Sequence, residues 1–197
     1  MKIPSRDDVV TPNSAAIDIK LRGKHYTIDF LHSIAGLDTE IMRKRAQILE
    51  EPLAVEGSFS RDTEVRLLHP VDVLISRIAG ITILKRMDPG AQRQLTAAPI
   101  VLREFIRELL DIGDQDAIKE ARDAVREFIR IGSAHFNDPI LDIYGIDIIA
   151  HAAQLAGHPA WHPNFAEHQI RRACVRFAEK RDRRIAEARR RAARQGS

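Results

Sequence analysis

Polar and apolar residues alternate along residues 15–31, a pattern typical of two short β-strands with one buried face. Every second residue from 17 to 21 is aliphatic, and the residues between them are charged. Gly23 provides the backbone freedom that a tight reversal needs. The second strand, which follows a reversal at residues 22–24 and ends near Leu31, carries Asp29 between two apolar neighbours. A carboxylate in mid-strand is costly to bury without a partner, so Asp29 is the first candidate functional residue.

The pattern next predicts a short helix and a second pair of strands. Asp38 is suited to cap the N-terminus of a helix that ends near Ala46. The apolar runs at 47–55 and 65–68 are expected to form strands separated by a polar turn. Pro52 places the first of these strands at a sheet edge, because proline cannot donate to the ladder.

From residue 69 onward, apolar residues recur at the three- and four-residue spacing of helices that face a core. Pro70 fits the first turn of the first helix, because that position needs no backbone N–H donor. Gly145 is expected to interrupt the helical region at residues 139–155. The helical regions are expected at residues 70–86, 91–112, 114–131, 139–155 and from about 164 into the C-terminal tail. The predicted fold class is α+β: a small mixed β-sheet followed by a helical bundle.

Three of these regions have clear candidate core residues. In the first helix they are Val71, Leu74, Ile75, Ile78 and Ile81. In the second they are Ile100, Val101, Phe105, Ile106, Leu109 and Leu110. In the third, residues 114–131, they are Ile118, Ala121, Val125, Phe128 and Ile129. Pro99 is expected to kink the second helix or to divide it in two, because it lacks the N–H that the helix needs.

Composition is that of a globular chain, with one basic segment. Of the 197 residues, 44% are hydrophobic and 30% are charged, enough for one sizeable core. No apolar run reaches the length of a membrane span and no signal-peptide segment is seen, so no membrane partner is expected. The single cysteine, Cys174, cannot form an internal disulfide, which favours a cytoplasmic location. Residues 171–194 hold ten arginines and one lysine against three acids, a net charge of +8, which leaves −5 for the rest.

Several segments follow one another in a recognisable order. They are residues 11–15 (TPNSA), 28–31 (IDFL), 36–38 (GLD), 68–77 (LHPVDVLISR) and, near the end, 159–178. In this order they resemble the later part of bacterial nucleotidyltransferase-fold proteins, including the set related to the AbiEii-type toxins. The resemblance covers most of the chain and is moderately specific, because no single segment is diagnostic alone.

The resemblance implies a reaction and two site residues. In that superfamily an Asp-x-Asp pair and a third acid from a later strand hold two Mg²⁺ ions that bridge the nucleotide phosphates. Asp29 matches the third acid, which is a metal ligand and a catalytic residue. Arg77 matches a basic residue that would face the phosphates of a bound NTP. The implied reaction transfers a nucleoside monophosphate from the NTP to a hydroxyl acceptor.

The chain departs from the family pattern ahead of Asp29. No Gly-Gly or Gly-Ser turn with an Asp-x-Asp pair precedes it, and Asp7 and Asp8 are adjacent, so on a strand they would point to opposite faces. One carboxylate does not hold two magnesium ions. We therefore expect activity to be impaired or absent, whether the gene is truncated, its start lies upstream or the fold persists without catalysis. The missing unit would also leave an open sheet edge at the hairpin, which predicts self-association.

Each candidate residue also has a structural interpretation. Asp29 could form an ion pair with an arginine of the fold, and Arg77 could be a solvated or ion-paired side chain. His69 is expected to cap the helix that starts at Pro70 and to bury its ring, rather than to act as a base.

Histidines and the cysteine in the C-terminal half offer further candidates. Zinc is not expected at the four histidines, because prolines interrupt the region that holds them. These histidines are His151, His158, His162 and His168. Cys174 lies among arginines, but it has no clear partner base and is expected to be a small apolar contact.

The basic C-terminal tail, residues 181–197, suggests a second function. Clustered arginines bind RNA phosphates through counterion release, although interleaved acids and alanines also fit a solvated helix end. No aromatic residue within the tail is available for base stacking. The predicted organisation is a partial nucleotidyltransferase-like sheet (1–68), a helical region packed on it (69–180) and the tail. The alternative function is a non-catalytic binding module for RNA or a partner protein.

Overall fold

A computed structural model describes residues 13–21, 23–31, 34–49, 65–134 and 137–195. The chain divides into two compact units, Met1–Ala91 and Gln92–Ser197. Most of the described residues are helical, so the predicted α+β class is confirmed only as a mostly helical chain with short strands. Within the described ranges, no helix is both long enough and apolar enough to cross a membrane.

The elements follow one another in a simple order. The strands are β1 (Asn13–Leu21), β2 (Lys24–Leu31), β3 (Gln47–Leu49) and β4 (Val65–Leu67). The helices are α1 (Thr39–Arg45), α2 (Pro70–Thr82), α3 (Pro89–Ile112), α4 (Gln115–Ser133), α5 (Asp138–Tyr144), α6 (Ile148–Ala153), α7 (Pro163–Phe165) and α8 (Arg172–Gln195). A 3₁₀ turn, Gln154–Gly157, follows α6, and a π-helical segment, Ala166–Arg171, joins α7 to α8.

The predicted hairpin is confirmed. β1 pairs with β2 in antiparallel register, and Leu21 lies opposite Lys24, so the chain reverses over two residues. Gly23 takes a φ of 77° in this reversal, a conformation that glycine adopts without a steric cost. Self-association through an edge of this hairpin stays a prediction.

The second strand pair is shorter than expected in the described part of the chain. Asp38 caps α1 as predicted, because its carboxylate accepts the backbone N–H groups of Glu40 and Ile41 at 2.9 and 3.0 Å. β3 then pairs with β4 in antiparallel register. The remainder of the expected strand and its turn, residues 50–64, lies outside the described residues, as does the polar lead-in before residue 13.

The first long helix begins where the sequence predicts. Pro70 occupies its first turn and His69 caps it. Four of the five predicted core residues are buried, and Ile75 is half-buried. Gly36 has a φ of 81°, and a methyl group added to it would lie 2.8 Å from the Cβ of Ala79 on α2. The backbone at residue 36 thus contacts α2 so closely that only glycine fits there.

The predicted core residues of α3 are partly wrong. The helix continues through Pro99 without being divided, and Ile100 and Val101 are 39% and 50% exposed. The buried residues are Leu95, Ala98, Pro99, Leu102, Ile106, Leu109 and Leu110. These repeat at three- and four-residue spacing, which defines one helix face, whereas Ile100 and Val101 lie about a third of a turn or more from the centre of that face, on either side of it. Burial of the Pro99 ring offsets part of the cost of the hydrogen bond that proline cannot donate.

The rest of the second unit agrees closely with the sequence pattern. Asp114 caps α4 by accepting the N–H of Ala117 at 2.8 Å. Gly145 ends α5 with a φ of 66°, as expected for the residue that comes after a helix. α4 packs against α6 so closely that a Cβ on Gly132 would lie 2.9 Å from the Cδ1 of Ile149. The last helix also begins near the predicted position, but the sequence pattern does not predict its π-helical segment.

Replacing Gly36 with alanine should destabilise the first unit strongly. The left-handed backbone costs a residue with a side chain about 1 kcal/mol, and the contact with Ala79 adds overpacking, for a total of about 3 kcal/mol. Gly23→Ala is the matched control, because Gly23 also has a positive φ but no atom near its added Cβ. Urea unfolding followed by circular dichroism measures both. Equal losses for the two variants would contradict the close packing at Gly36.

Candidate nucleic-acid interface

The C-terminal helix has two faces of opposite character. Its inward face begins at Ile170 in the π-helical segment and continues through Ala173 and Cys174, all of which are buried. Its outward face carries basic residues spaced three, four or seven apart, so that they form one row along the helix. The members of this basic row are Arg172, Arg176, Lys180, Arg183 and Arg190, and all five are exposed.

Two further arginines of α8 point toward the body of the second unit. Arg181 Nη1 donates to Asp147 Oδ2 at 2.9 Å, and Arg184 Nη2 donates to Asp138 Oδ1 at 2.8 Å. Their side chains are only 22% and 31% exposed. The helix is also continuous across residue 181. The basic tail expected at residues 181–197 is therefore continuous with the helix before it, and Arg181 and Arg184 in its first turn are held by α5 and by the cap of α6.

The basic row keeps most of its charge available to a ligand. Arg172 contacts Glu167 at 3.2 Å and Arg183 contacts Glu179 at 3.8 Å, and all four side chains are more than a third exposed. Ion pairs at such exposed positions contribute only about 0–1 kcal/mol and are screened by salt. A string of phosphates can displace these weak partners, which makes the row a candidate nucleic-acid interface.

Asp29, the expected metal ligand, is placed by the pairing of β1 with β2. Asp29 lies opposite Ala16, and Asp18 lies opposite Thr27. Residues two apart on a strand belong to the same face, so Asp18 and Asp29 occupy diagonal positions on one face of the hairpin. His25, two positions from Thr27, is exposed. The apolar sequence neighbours of Asp29 belong to the opposite face.

A magnesium site at Asp29 stays a prediction. The side chain of Asp29 lies outside what the structure describes. In the portion of the chain that is described, no three His, Cys, Asp or Glu side chains come together as a metal site requires. The register nevertheless supplies what sequence reasoning missed, a second aspartate, Asp18, on the face that carries Asp29.

Arg77, the expected phosphate ligand, lies half-buried on α2. Burial and, after it, the positive charge of nearby Arg86 lower the pKa of the Arg77 guanidinium. The side chain nevertheless remains charged at neutral pH. Across the described ranges no carboxylate pairs with Arg77. Two neighbouring arginines form an environment that a bound anion would stabilise.

His69 is a structural residue, as predicted. Its ring is buried, and Nδ1 accepts the backbone N–H of Val71 at 3.1 Å. Burial and then the charge of Arg45 lower the pKa of His69 to about 4, so the ring is neutral at pH 7. Beside it, Asp72 is 1% exposed and accepts from Arg45 Nη1 at 2.8 Å. This contact between α1 and α2 has no signal in the sequence, because it joins residues that are far apart in the chain.

The four histidines of the C-terminal half have separate surroundings. His158 Nε2 lies 3.1 Å from a carboxylate oxygen of Asp111, and His162 caps α7. His151 is half-buried, which lowers its pKa, and His168 is exposed. Each histidine therefore has its own local environment.

Cys174 is buried on the inward face of α8, as predicted. Burial, and the negative charge of Asp147, raise the pKa of its thiol to about 11. The thiol is therefore protonated at neutral pH and unsuited to nucleophilic chemistry.

No family model, curated protein or solved structure matches this chain. The resemblance to nucleotidyltransferase-fold proteins therefore rests on the quoted sequence segments alone.

Replacing His69 with asparagine should change how stability depends on pH. The folded-state pKa of about 4 lies below the ordinary value of 6.5, so the unfolded chain takes up a proton first as pH falls. The free energy of unfolding should therefore decrease between pH 6.5 and pH 4, by up to about 3 kcal/mol. Asparagine can still cap α2 but does not titrate in this range, so His69→Asn should flatten this part of the curve. Urea unfolding at several pH values measures it, and an unchanged slope would contradict the buried neutral ring.

Proposed function

We propose that this chain is a nucleotidyltransferase-like cytoplasmic protein that binds RNA and does not, by itself, transfer nucleotides. The observation that carries the binding function is the basic row of α8. Its five cations lie on one helix face, spaced by one or two helical turns, while Arg181 and Arg184 hold the opposite face in place. A helix with its orientation fixed in this way presents its charges without first having to become ordered.

The chemistry of the basic row favours phosphate contacts over base recognition. Arginine and lysine displace condensed counterions from a nucleic acid, and the entropy of this release supplies affinity that does not depend on sequence. Specific recognition of RNA would need aromatic or polar side chains that reach the bases. The members of the row are all cationic, so we propose a binding mode that tracks the RNA backbone.

The basic row can be tested by removing two of its central charges. Arg176→Gln with Arg183→Gln should weaken binding of a fluorescently labelled single-stranded RNA by about tenfold at low salt. Each lost phosphate contact should also lower the slope of log affinity against log salt by about 0.7. Fluorescence anisotropy across a salt series measures both quantities. Substitutions are preferable to deletion of residues 181–197, which would also remove the two anchoring arginines.

The matched control is Arg93→Gln with Arg107→Gln. These two arginines are also exposed and lie in the same unit, but on α3. The control removes the same net charge, so an equal loss of affinity would show that RNA responds only to overall charge. That result would contradict a binding site on α8.

A second candidate function is nucleotide transfer with Mg²⁺, the reaction implied by the family resemblance. The observation that favours it is the register of the hairpin, which places Asp18 on the same face as Asp29. Two aspartates at positions of one hairpin face would supply part of a divalent-metal site, and Arg77 beside Arg86 would suit the NTP phosphates. The Asp-x-Asp pair of the family is nevertheless missing, so we rank transfer below binding.

Incubation of the chain with labelled NTPs, Mg²⁺ and bulk RNA should yield no labelled acceptor. The reason is that the family reaction needs two metal ions held by more acids than the hairpin supplies. Labelling that is lost in Asp29→Asn and kept in Asp111→Asn, an exposed aspartate on α3, would instead establish the transferase. Retention of the same labelling in Asp29→Asn would point to a contaminating enzyme.

A further inference from the structure

A second group of arginines, none of them a member of the basic row, lies around the ring of Phe165 in α7. Arg122 and Arg126 project from successive turns of α4, and their guanidinium carbons lie 5.6 and 5.5 Å from the centre of that ring. Trp161 packs beside the same ring, with the ring centres 4.9 Å apart. We call these four residues the Phe165 cluster. Two cations thus share one aromatic ring in the second unit.

The hydrogen-bond donors of this cluster are not fully used. Arg122 is half-buried, and its Nε–H is buried with no acceptor in the described part of the protein. Apart from the Phe165 ring, Arg126 has one partner among the described residues, Asp123 at 3.3 Å, and both of these side chains are more than half exposed. An exposed pair of this kind is readily given up to a stronger ligand. The Phe165 cluster therefore has two cations, and the carboxylate that pairs with Arg126, that of Asp123, is weakly held.

The geometry suits one class of ligand. A guanidinium held against an aromatic ring keeps its N–H groups directed outward in its own plane, where they can bind two oxygens at once. Two like charges one helical turn apart repel each other, and a bound anion removes that repulsion. We propose that Arg122 and Arg126 bind a phosphate group at the Phe165 ring.

This site would add a phosphate contact to the proposed RNA binding, and it rests on that proposal only if its ligand is RNA. The phosphate could belong to an RNA backbone that also contacts α8, or it could be free phosphate. The residues of the site come from α4 and α7 and include none of the basic row. The two proposals can therefore fail separately.

Trp161 provides a direct measurement, because it is the only tryptophan of the chain and packs against Phe165. Titration of the full chain with inorganic phosphate, and separately with a single-stranded RNA, should produce a saturable change in tryptophan fluorescence. Arg122→Gln with Arg126→Gln should weaken that response about tenfold or abolish it. Arg126→Gln alone, at an exposed position, should weaken it less and leaves the half-buried Arg122 in place.

Arg130→Gln is the matched control, one turn further along α4, where Arg130 is exposed and pairs with Glu127. It should leave the fluorescence response unchanged. A response to phosphate as well as to RNA would identify a general phosphate site, and a response to RNA alone would identify a backbone contact. Either result supports the proposal.

The outcomes also separate this site from the basic row. Loss of the fluorescence response in the Arg122 and Arg126 variants, with RNA affinity unaffected by the α8 variants, would support the Phe165 site and contradict the row. A wild-type chain that shows no response to either ligand, or a response that survives in the double variant, would overturn the proposal.

Discussion

Asp147 uses its two carboxylate oxygens to hold two different helices. Oδ1 caps α6 by accepting the N–H of Ala150 at 3.0 Å, and Oδ2 accepts from Arg181 of α8 at 2.9 Å. Asp138, in the first turn of α5, holds Arg184 in the same way. These contacts fix the rotation of α8 about its own axis. Together with the buried Ala173 and Cys174, they set the direction of the exposed cations of the basic row, because these cations lie on the opposite face of the same helix.

Elements whose signals are local were predictable from the sequence. The hairpin depends on alternation around Gly23, and α1, α2 and α4 each begin at a capping residue with its partners two or three positions away. The core residues of α3 were less predictable, because this helix has apolar residues on more than one side. Sequence spacing gives the period of a helix but does not decide which of two adjoining apolar faces meets the core.

The contacts of the candidate sites were not predictable, and the reason is physical. Arg181 and Arg184 look like any other arginine of a basic segment until Asp147 and Asp138, over thirty residues away, are brought next to them. The role of His69 was predictable, because its ring caps α2 by accepting the backbone N–H of Val71, only two residues away in the sequence. The second aspartate near Asp29 depends on strand register, which alternation alone leaves open.

The π-helical segment, Ala166–Arg171, also bears on how the chain can vary in length. A π turn holds one more residue than an α turn, and losing that residue returns the segment to an ordinary α-helix without rotating α8. A residue lost between Arg172 and Arg181 would instead rotate Arg181 by about 100° and take it away from Asp147. Between Ala166 and Arg181, the π turn is thus the place where the chain can lose a residue without moving Arg181 away from Asp147, and the spacing from Arg172 to Arg181 is fixed.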